Sequence, residues 1–359
     1  MDEDVEVPHL EALSVWGLPH MNNKYRCDSR RATPWEDKLN ATPVEKFIDG
    51  CTKDNYDKKH TRPGDDREIG LLNSFTPSTC RLCNSTNIIR YGKTAAGLIR
   101  YRCKDCGKTF TIITGTIFDQ RKISISEWID FLVMLMGYGS YNLTSKINRN
   151  SYNTTRYWMD KVFLILRDWQ NNIILNGDIY FDETYYPLMT KDSETNDKGF
   201  LKRGLSKNRI CIGCGWAGRN LVCISEGTGK TSKTRTWDAF GSHINKGAKL
   251  IHDGEHSHSV LVDYLELNEE IHPTKETKGL SDKHNPMDPI NSKHSLLKKF
   301  LRAHSGFIRD DIQDYLNFFC FITSNTGLDK LEKVRELLIL AFENPKILRY
   351  RDKNLDSCF

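Results

Sequence analysis

Hydrophobic and polar positions follow different periods in successive parts of this chain, and the changes of period divide it. Residues 1–72 are polar, mixed in charge and broken by Pro8, Pro34, Pro43 and Pro63, which predicts a loosely structured extension with one amphipathic piece, PVEKFIDGC. Two short β-like runs follow, NIIRYG and LIRYR, joined by a Gly-containing turn. The period then becomes helical. Trp128, Phe131, Leu132, Leu135 and Met136 fall on one stripe, Ser124 and Glu127 stand at capping-box spacing, and Gly137 and Gly139 close the run. After the polar piece NLTSKINRNS, Trp158, Val162, Ile165 and Trp169 mark one face of a longer helix.

From residue 173 the pattern turns to strands. IYFDETYY, RICIGCGWA and LVCISEGTG read as three β segments with turn signals between them. RTWDAFGSHI reads as a helix, AKLIHD as a strand stopping at Asp253, and DPINSKHSLLKKFLRAH as a final helix. Three meandering strands, a helix, a strand and a helix predict an α/β layout compatible with an RNase H-like core. Beyond residue 325, Leu328, Leu331, Val334, Leu338 and Phe342 predict a helix that packs on this core or on a second protomer.

Composition narrows the class without choosing the function. A 359-residue chain with 38% hydrophobic and 28% charged residues suits a soluble protein of two or three domains. No run approaches the ~18 apolar residues of a membrane span. The acidic start, MDEDVEVPHLEAL, lacks the apolar stretch of a signal peptide, which predicts a cytoplasmic protein with reduced thiols. A net charge of +5 permits a nucleic-acid partner without requiring one.

The 11 cysteines are informative by their clustering. Cys80 and Cys83 form one CxxC, Cys103 and Cys106 another, and the two β-like runs lie between them. Four thiolates in two such knuckles complete a closed tetrahedral shell, so this spacing predicts a structural zinc ribbon over 73–113. A redox CxxC would instead sit alone beside a βαβ unit. Arg90, Lys93, Arg100, Arg102, Lys104 and Lys108 interleave with Tyr91, Tyr101 and Phe110, a mixture that suits either phosphate contact or a solvated face. Residues 114–172 read as a helix-turn-helix, with Asn153, Thr154, Thr155 and Arg156 opening the helix that would meet double-stranded DNA; a plain three-helix bundle is the alternative. The lone pair Cys211 and Cys214 reads as small core residues.

Asp182 and Asp253 each stand where a predicted strand ends. Two such carboxylates placed side by side repel one another unless a cation joins them, and hard oxygen ligands with open positions suit Mg2+ or Mn2+. On the final helix Asn291, Ser295, Lys298 and Arg302 share one face, while Ile290, Leu297 and Leu301 form the face for the sheet. Asn291 can offer a carbonyl oxygen to a metal, and Lys298 can reach a phosphate. Asp288 is a fallback ligand, and Glu183 and Glu255 read as exposed acids beside the site.

DET, HDGEHSHSVLV and NPMDPINSKHSLLKKFLRAH, behind the double CxxC, resemble the DDE-type transposases of bacterial insertion sequences, in the ISXO-like branch related to Merlin elements. The resemblance runs from about residue 75 to 322. It implies an RNase H-like catalytic domain over 173–325 behind a zinc ribbon and a helix-turn-helix, with a helical tail over 326–359. It also implies an enzyme that binds element ends as a homo-oligomer on nucleoid DNA, cleaves by metal-dependent hydrolysis and joins the freed 3′-OH to target DNA. Carried over by position, Asp182 and Asp253 are the two catalytic acids, Asn291 stands where many relatives carry Glu, and Lys298 is the basic residue seven positions on. The uncharged Asn291 leaves an alternative open, a catalytically silent zinc-ribbon and helix-turn-helix DNA-binding regulator. Two rival readings concern HDGEHSH. One is a metal cluster of its own, with His252, Asp253, His256 and His258, and the other is a nuclease that attacks through Tyr264.

Overall fold

The computed structural model of the chain describes residues 42–44, 46–48 and 66–349, apart from 122, 123, 149, 203, 205, 206, 305, 325 and 326. Of the extension, Thr42 and the described part of PVEKFIDGC are exposed, the latter helical, and the rest of 1–65 lies outside the described residues. Helix α1 (Asp66–Ser74) crosses the expected boundary at residue 72. Leu72 is buried, and the Asn73 amide donates to Gly97 O (3.1 Å) and accepts from Ile99 N (2.8 Å), so α1 is stitched to the sheet that follows.

That sheet is an antiparallel meander of β1 (Ile88–Lys93), β2 (Ile99–Cys103) and β3 (Thr109–Thr111). Its small core is Cys80, Tyr101, Cys103 and Phe110. Two of the three aromatics that sequence spacing offered for phosphate contact are therefore structural. Tyr91 alone of them is exposed, with the Arg100 and Arg102 guanidinium carbons 5.2 and 5.4 Å from its ring centroid.

Helix α2 (Ile125–Met136) starts where Ser124 Oγ accepts from Glu127 N at 3.2 Å, and its predicted apolar stripe is wholly buried. Residues 149–151 separate α3 (Tyr141–Asn148) from α4 (Tyr152–Leu166). Ser151 caps α4, and Trp158, Val162 and Ile165 are buried. Trp169, expected on the same helical face, lies past the helix end and packs against Phe321 with ring centroids 5.4 Å apart.

The second sheet contains β4 (Asp178–Pro187), β5 (Arg209–Ala217) and β6 (Asn220–Thr228) as an antiparallel meander. Helix α5 (Lys233–Phe240) leads to β7 (Lys249–His252), then α6 (Ser259–Leu265) to β8 (Asn268–Ile271). The strand order is β6-β5-β4-β7-β8, with β7 parallel to both β4 and β8. After the turn α7 (Thr274–Thr277) come α8 (Asp288–Ala303), α9 (Ile312–Ser324) and α10 (Lys330–Glu343).

The fold is thus mixed α/β, and alternation along β4 explains its layers. Ile179 and Phe181 belong to the core that α5 and α6 cover, whereas Tyr180 and Tyr186 belong to the core on the α8 and α9 side. The latter core is continuous with α2, α4 and α10. Helix α9, which carries the Phe318, Phe319 and Phe321 cluster, lies between β6 and α4. The tail helix α10 packs on α2 and α4, with Phe342 against Phe75 (4.5 Å) and Phe118 (5.3 Å). Of its expected apolar positions, Val334, Leu338 and Phe342 are buried, Leu331 is exposed and Leu328 precedes the helix, while Leu337 adds to the buried face.

Candidate active site

Strand β4 does not end at Asp182 as the sequence predicted, because it pairs with β5 as far as Pro187↔Arg209. What ends near Asp182 is its pairing with β7. The last paired positions are Tyr180↔Ile251, so Asp182, within β4, and Asp253, just past the end of β7, each stand two residues beyond that pair. Their proximity is felt electrostatically. Burial is the main cause that raises the Asp182 pKa to about 7, followed by the charges of Asp253 and Glu183. The backbone N–H of Glu183 donates to Asp182 Oδ1 at 2.8 Å and opposes the shift.

Because side chains alternate, Asp182 faces α8 and Glu183 faces α6. Across from Asp182, α8 presents Asn291, His294, Ser295 and Lys298 to an open cleft of about 610 Å³ that Arg209 also lines. The i, i+4, i+7 face read from the sequence is therefore real, and it brings Asn291 and Lys298 to the same cleft as Asp182. His294 was missed, because a histidine among Asn, Ser and Lys reads as surface. It is buried, its Nδ1 lies 3.7 Å from Asp182 Oδ2, and it interacts with the Cys214 thiol directly opposite Asp182 on β5. Cys211 and Cys214 are core residues, buried as expected. Neither Asp288, which begins α8, nor Asp253 is among the residues lining the cleft.

Glu183 corrects a second expectation. Its side chain is only 5% exposed, and Oε1 lies 2.8 Å from Nε2 of the fully buried His258. His258 Nδ1 lies 2.8 Å from His252 Nδ1, whose Nε2 is 3.0 Å from Glu269 Oε1. Burial works against charge on His258, but Glu183, Asp253 and Asp182 outweigh it and raise the pKa; burial and the charge of His258 lower that of His252. Asp253 Oδ1 accepts from Glu255 N at 3.0 Å and Oδ2 from Thr274 Oγ1 at 3.4 Å. Glu255 pairs with Lys230 at 3.1 Å. A further buried acid, Glu226 on β6, also went unnoticed. Thr231 and Thr236 donate to its Oε2, and burial is the main cause of its raised pKa. Tyr264 is exposed beside Trp237 (5.1 Å) and is not among the residues lining the cleft.

At the far end of the chain's first sheet, the sulfurs of Cys80, Cys83, Cys103 and Cys106 all lie within 4.8 Å of one another. Cys80 to Cys106 is 3.8 Å and Cys83 to Cys103 is 3.6 Å. A tetrahedral ion with Zn–S bonds of ~2.3 Å needs sulfurs roughly 3.8 Å apart, so the four residues fit a zinc ion. The Cys106 N–H toward Cys103 Sγ is the main cause that lowers the Cys103 pKa to about 7.

The residues expected to meet DNA differ in their availability. Asn153, Arg156 and Arg302 are exposed. Thr154 is half-buried with its hydroxyl 2.8 Å from Ser151 Oγ. Thr155 is 1% exposed and donates to Ser151 O, so it is a packing residue of α4 and not a contact surface.

No protein-family model matches the chain. It is 29% identical over 259 residues to an uncharacterized protein in transposable element ISH50 of Halobacterium salinarum, a match that covers 67% of this chain and 83% of that protein. Among solved structures, it is similar to the Mos1 mariner paired end complex with Mn, with a TM-score of 0.26 and 11% identity over 58% of this chain and 74% of that one. A pre-cleavage Mos1 transpososome is similar at a TM-score of 0.25 and 10% identity, with the same coverage. Among the described residues, no helix is long and apolar enough to cross a membrane.

Proposed function

We propose that this chain is a metal-dependent DNA transposase of the insertion-sequence kind. One observation carries the reading: Asp182 and Asp253 stand at matched positions past a parallel strand pair, and α8 faces Asp182 with Asn291 and Lys298. The ISH50 likeness supports it, since that protein belongs to a transposable element. So does the sheet order β6-β5-β4-β7-β8, the arrangement expected of an RNase H-like domain.

The two aspartates and the Asn291 carbonyl oxygen would hold Mg2+ or Mn2+. The raised pKa of Asp182 supports this fit, because a carboxylate pushed toward neutrality by burial, and next by the charges of Asp253 and Glu183, is one that a cation relieves. Such an ion, when bound, supplies Lewis-acid stabilisation to a phosphoryl centre. Lys298 neutralises a phosphate oxygen in the same cleft, and Arg302 extends that basic face along α8. The reaction is hydrolysis of a phosphodiester that frees a 3′-OH, followed by attack of that hydroxyl on target DNA. Cys80, Cys83, Cys103 and Cys106 would hold a structural zinc that stabilises the first sheet as part of a DNA-binding unit. Asn153 and Arg156, at the start of α4, contact the duplex at the element ends. Two ends must meet, so a homo-oligomer on DNA is the working form.

One observation favours a second reading. Asn291 brings no charge, and a site with two acids holds a divalent ion less tightly than a site with three. A silent copy would bind DNA as a regulator and cut nothing. Purified protein incubated with a duplex of the element's ends and Mn2+ separates the two: nicking that leaves 3′-OH ends supports the transposase, and binding without nicking supports the regulator.

A further inference from the structure

The sheet of β1, β2 and β3 has two unlike faces, and its register assigns residues to each. Tyr101 stands opposite Arg90 on β1 and Phe110 on β3, and the Tyr101 and Phe110 rings turn inward to pack with Cys80 and Cys103. Ile89, Arg102 and Thr109 form the adjacent row and so point to the other face. Tyr91 and Arg100 join them there. The Arg100 and Arg102 guanidinium carbons stand over the one Tyr91 ring, 5.2 and 5.4 Å from its centroid. Ile89 is 40% exposed and Tyr91 43%, so this outer face is open to solvent.

The chain's positive charge is concentrated in the same unit. Residues 73–113 hold seven basic residues and one acid, an excess of six, where the whole chain has a net charge of +5. The rest of the chain is therefore close to neutral. Even with zinc bound, the four thiolates take back only two of these charges. The acid, Asp105, is turned away from the arginines and accepts from Ser85 Oγ and Asn87 Nδ2. Arg81 is occupied by Phe342 O, to which its Nη2 donates at 2.7 Å. Around the second sheet, by contrast, lysines meet acids: Lys249 pairs with Glu270, Lys230 with Glu255 and Lys246 with Glu266. Among the described residues, none of Arg90, Lys93, Arg100, Arg102, Lys104 and Lys108 has an acid within ion-pair distance. A face that is merely solvated intersperses both signs. Here like charges are gathered without a counter-charge, which an anionic partner relieves.

Tyr91 prepares the arginines for such a partner. A guanidinium laid over an aromatic ring keeps its in-plane N–H groups free, and those groups match phosphate oxygens in pairs. Arg100 is fixed further, because its Nε donates to Tyr91 O at 3.1 Å. Holding both side chains in place reduces the rotamer entropy that binding would otherwise remove.

We propose that the outer face of the first sheet is a clamp for the phosphate backbone of duplex DNA, with Arg100 and Arg102 as the contacts and Tyr91 as the residue that positions them. It holds the duplex without reading its sequence. The proposal deepens the DNA-binding part of the reading above and rests on it.

Duplex binding by the full-length, zinc-loaded protein, followed by fluorescence anisotropy across a salt series, tests the clamp. The probes are a duplex of the element's ends and an unrelated duplex of equal length. Arg100→Gln and Arg102→Gln should each lower the slope of log affinity against log salt by about one unit, equally on both duplexes. Tyr91→Leu should keep the slope and weaken binding about two- to fivefold, the equivalent of an exposed cation–π contact. Arg219→Gln, in the exposed turn between β5 and β6, should change neither. Zinc content shows that a variant keeps its sheet, and the exposed Arg102→Gln stands even where the half-buried Arg100→Gln disturbs it. Unchanged slopes in the arginine variants overturn the proposal. So does an equal fall in Arg219→Gln, a loss confined to the element's ends, or an effect seen only with RNA of the same length. A protein that nicks the element's ends while its arginine variants keep the parent slope would count against the clamp alone. The expected slopes in a protein that nicks nothing would count against the cleavage reading alone.

Discussion

Asp182 and Asp253 occupy matched positions, each two residues past the Tyr180↔Ile251 pair that ends the parallel contact of β4 with β7. Sheet register brings both acids to the same end of the β4–β7 pair, Asp182 within β4 and Asp253 in the turn that follows β7.

The pair gives the metal-free protein a defined pH dependence. Asp182 titrates at about 7 in the folded chain and near ~3.9 when unfolded. Between these values the folded protein keeps a proton that the unfolded chain has released, so stability falls as pH rises from about 4 to about 7 and levels off above. Mn2+ competes with that proton and should raise Tm more near pH 8 than near pH 5. Thermal unfolding across pH checks both, and Asp182→Asn should flatten the slope and remove the Mn2+ increment.

The four-cysteine cluster should behave as a folding ligand. Purified protein should contain zinc that chelators remove, with loss of structure in the first sheet; Cys103→Ser should release zinc and expose Tyr101 and Phe110, which share its core. Metal analysis and tyrosine fluorescence report the two effects.

Gly213 on β5 lies opposite Glu183, and a Cβ there would approach Phe240 Cε2 to 2.5 Å and Glu226 Oε1 more closely still. Phe240 is fully buried and cannot step aside. Gly213→Ala should therefore cost about 1–3 kcal/mol, measured by denaturant unfolding.

On α4, exposure separates residues that the sequence grouped together. Arg156→Ala should weaken DNA binding and lower the slope of log affinity against log salt by about one unit. Thr155→Ala should leave that slope unchanged, because its side chain is buried. On α8, Lys298→Ala should slow nicking by about ten- to a hundredfold, the rate equivalent of a lost charge-assisted hydrogen bond.

Much of this was legible in the sequence where one period governs a whole element. The α2 stripe, the Asn291–Ser295–Lys298 face and the double CxxC all follow from local spacing. Four things were not. The true end of β4 depends on how far β5 pairs with it. The helix α6 and the strand β8, whose sequence NEEI is polar at an exposed edge, carry no strong periodic signal. Helix α9 is buried almost all round, so it has no polar face to mark its period. His294 and Glu183 look like surface residues, and only the packing of α8 and the buried His258 give them partners.

The most direct test of the central claim is strand cleavage. Purified protein and its Asp182→Asn variant would each meet a duplex carrying the element's ends, with Mg2+ or Mn2+. Removal of one acid from a metal-assisted phosphoryl site costs several kcal/mol, about a thousandfold in rate. The account predicts metal-dependent nicks with 3′-OH ends from the parent protein and loss of at least that magnitude in the variant. Equal nicking by both, or none by either in the presence of firm DNA binding, would contradict it.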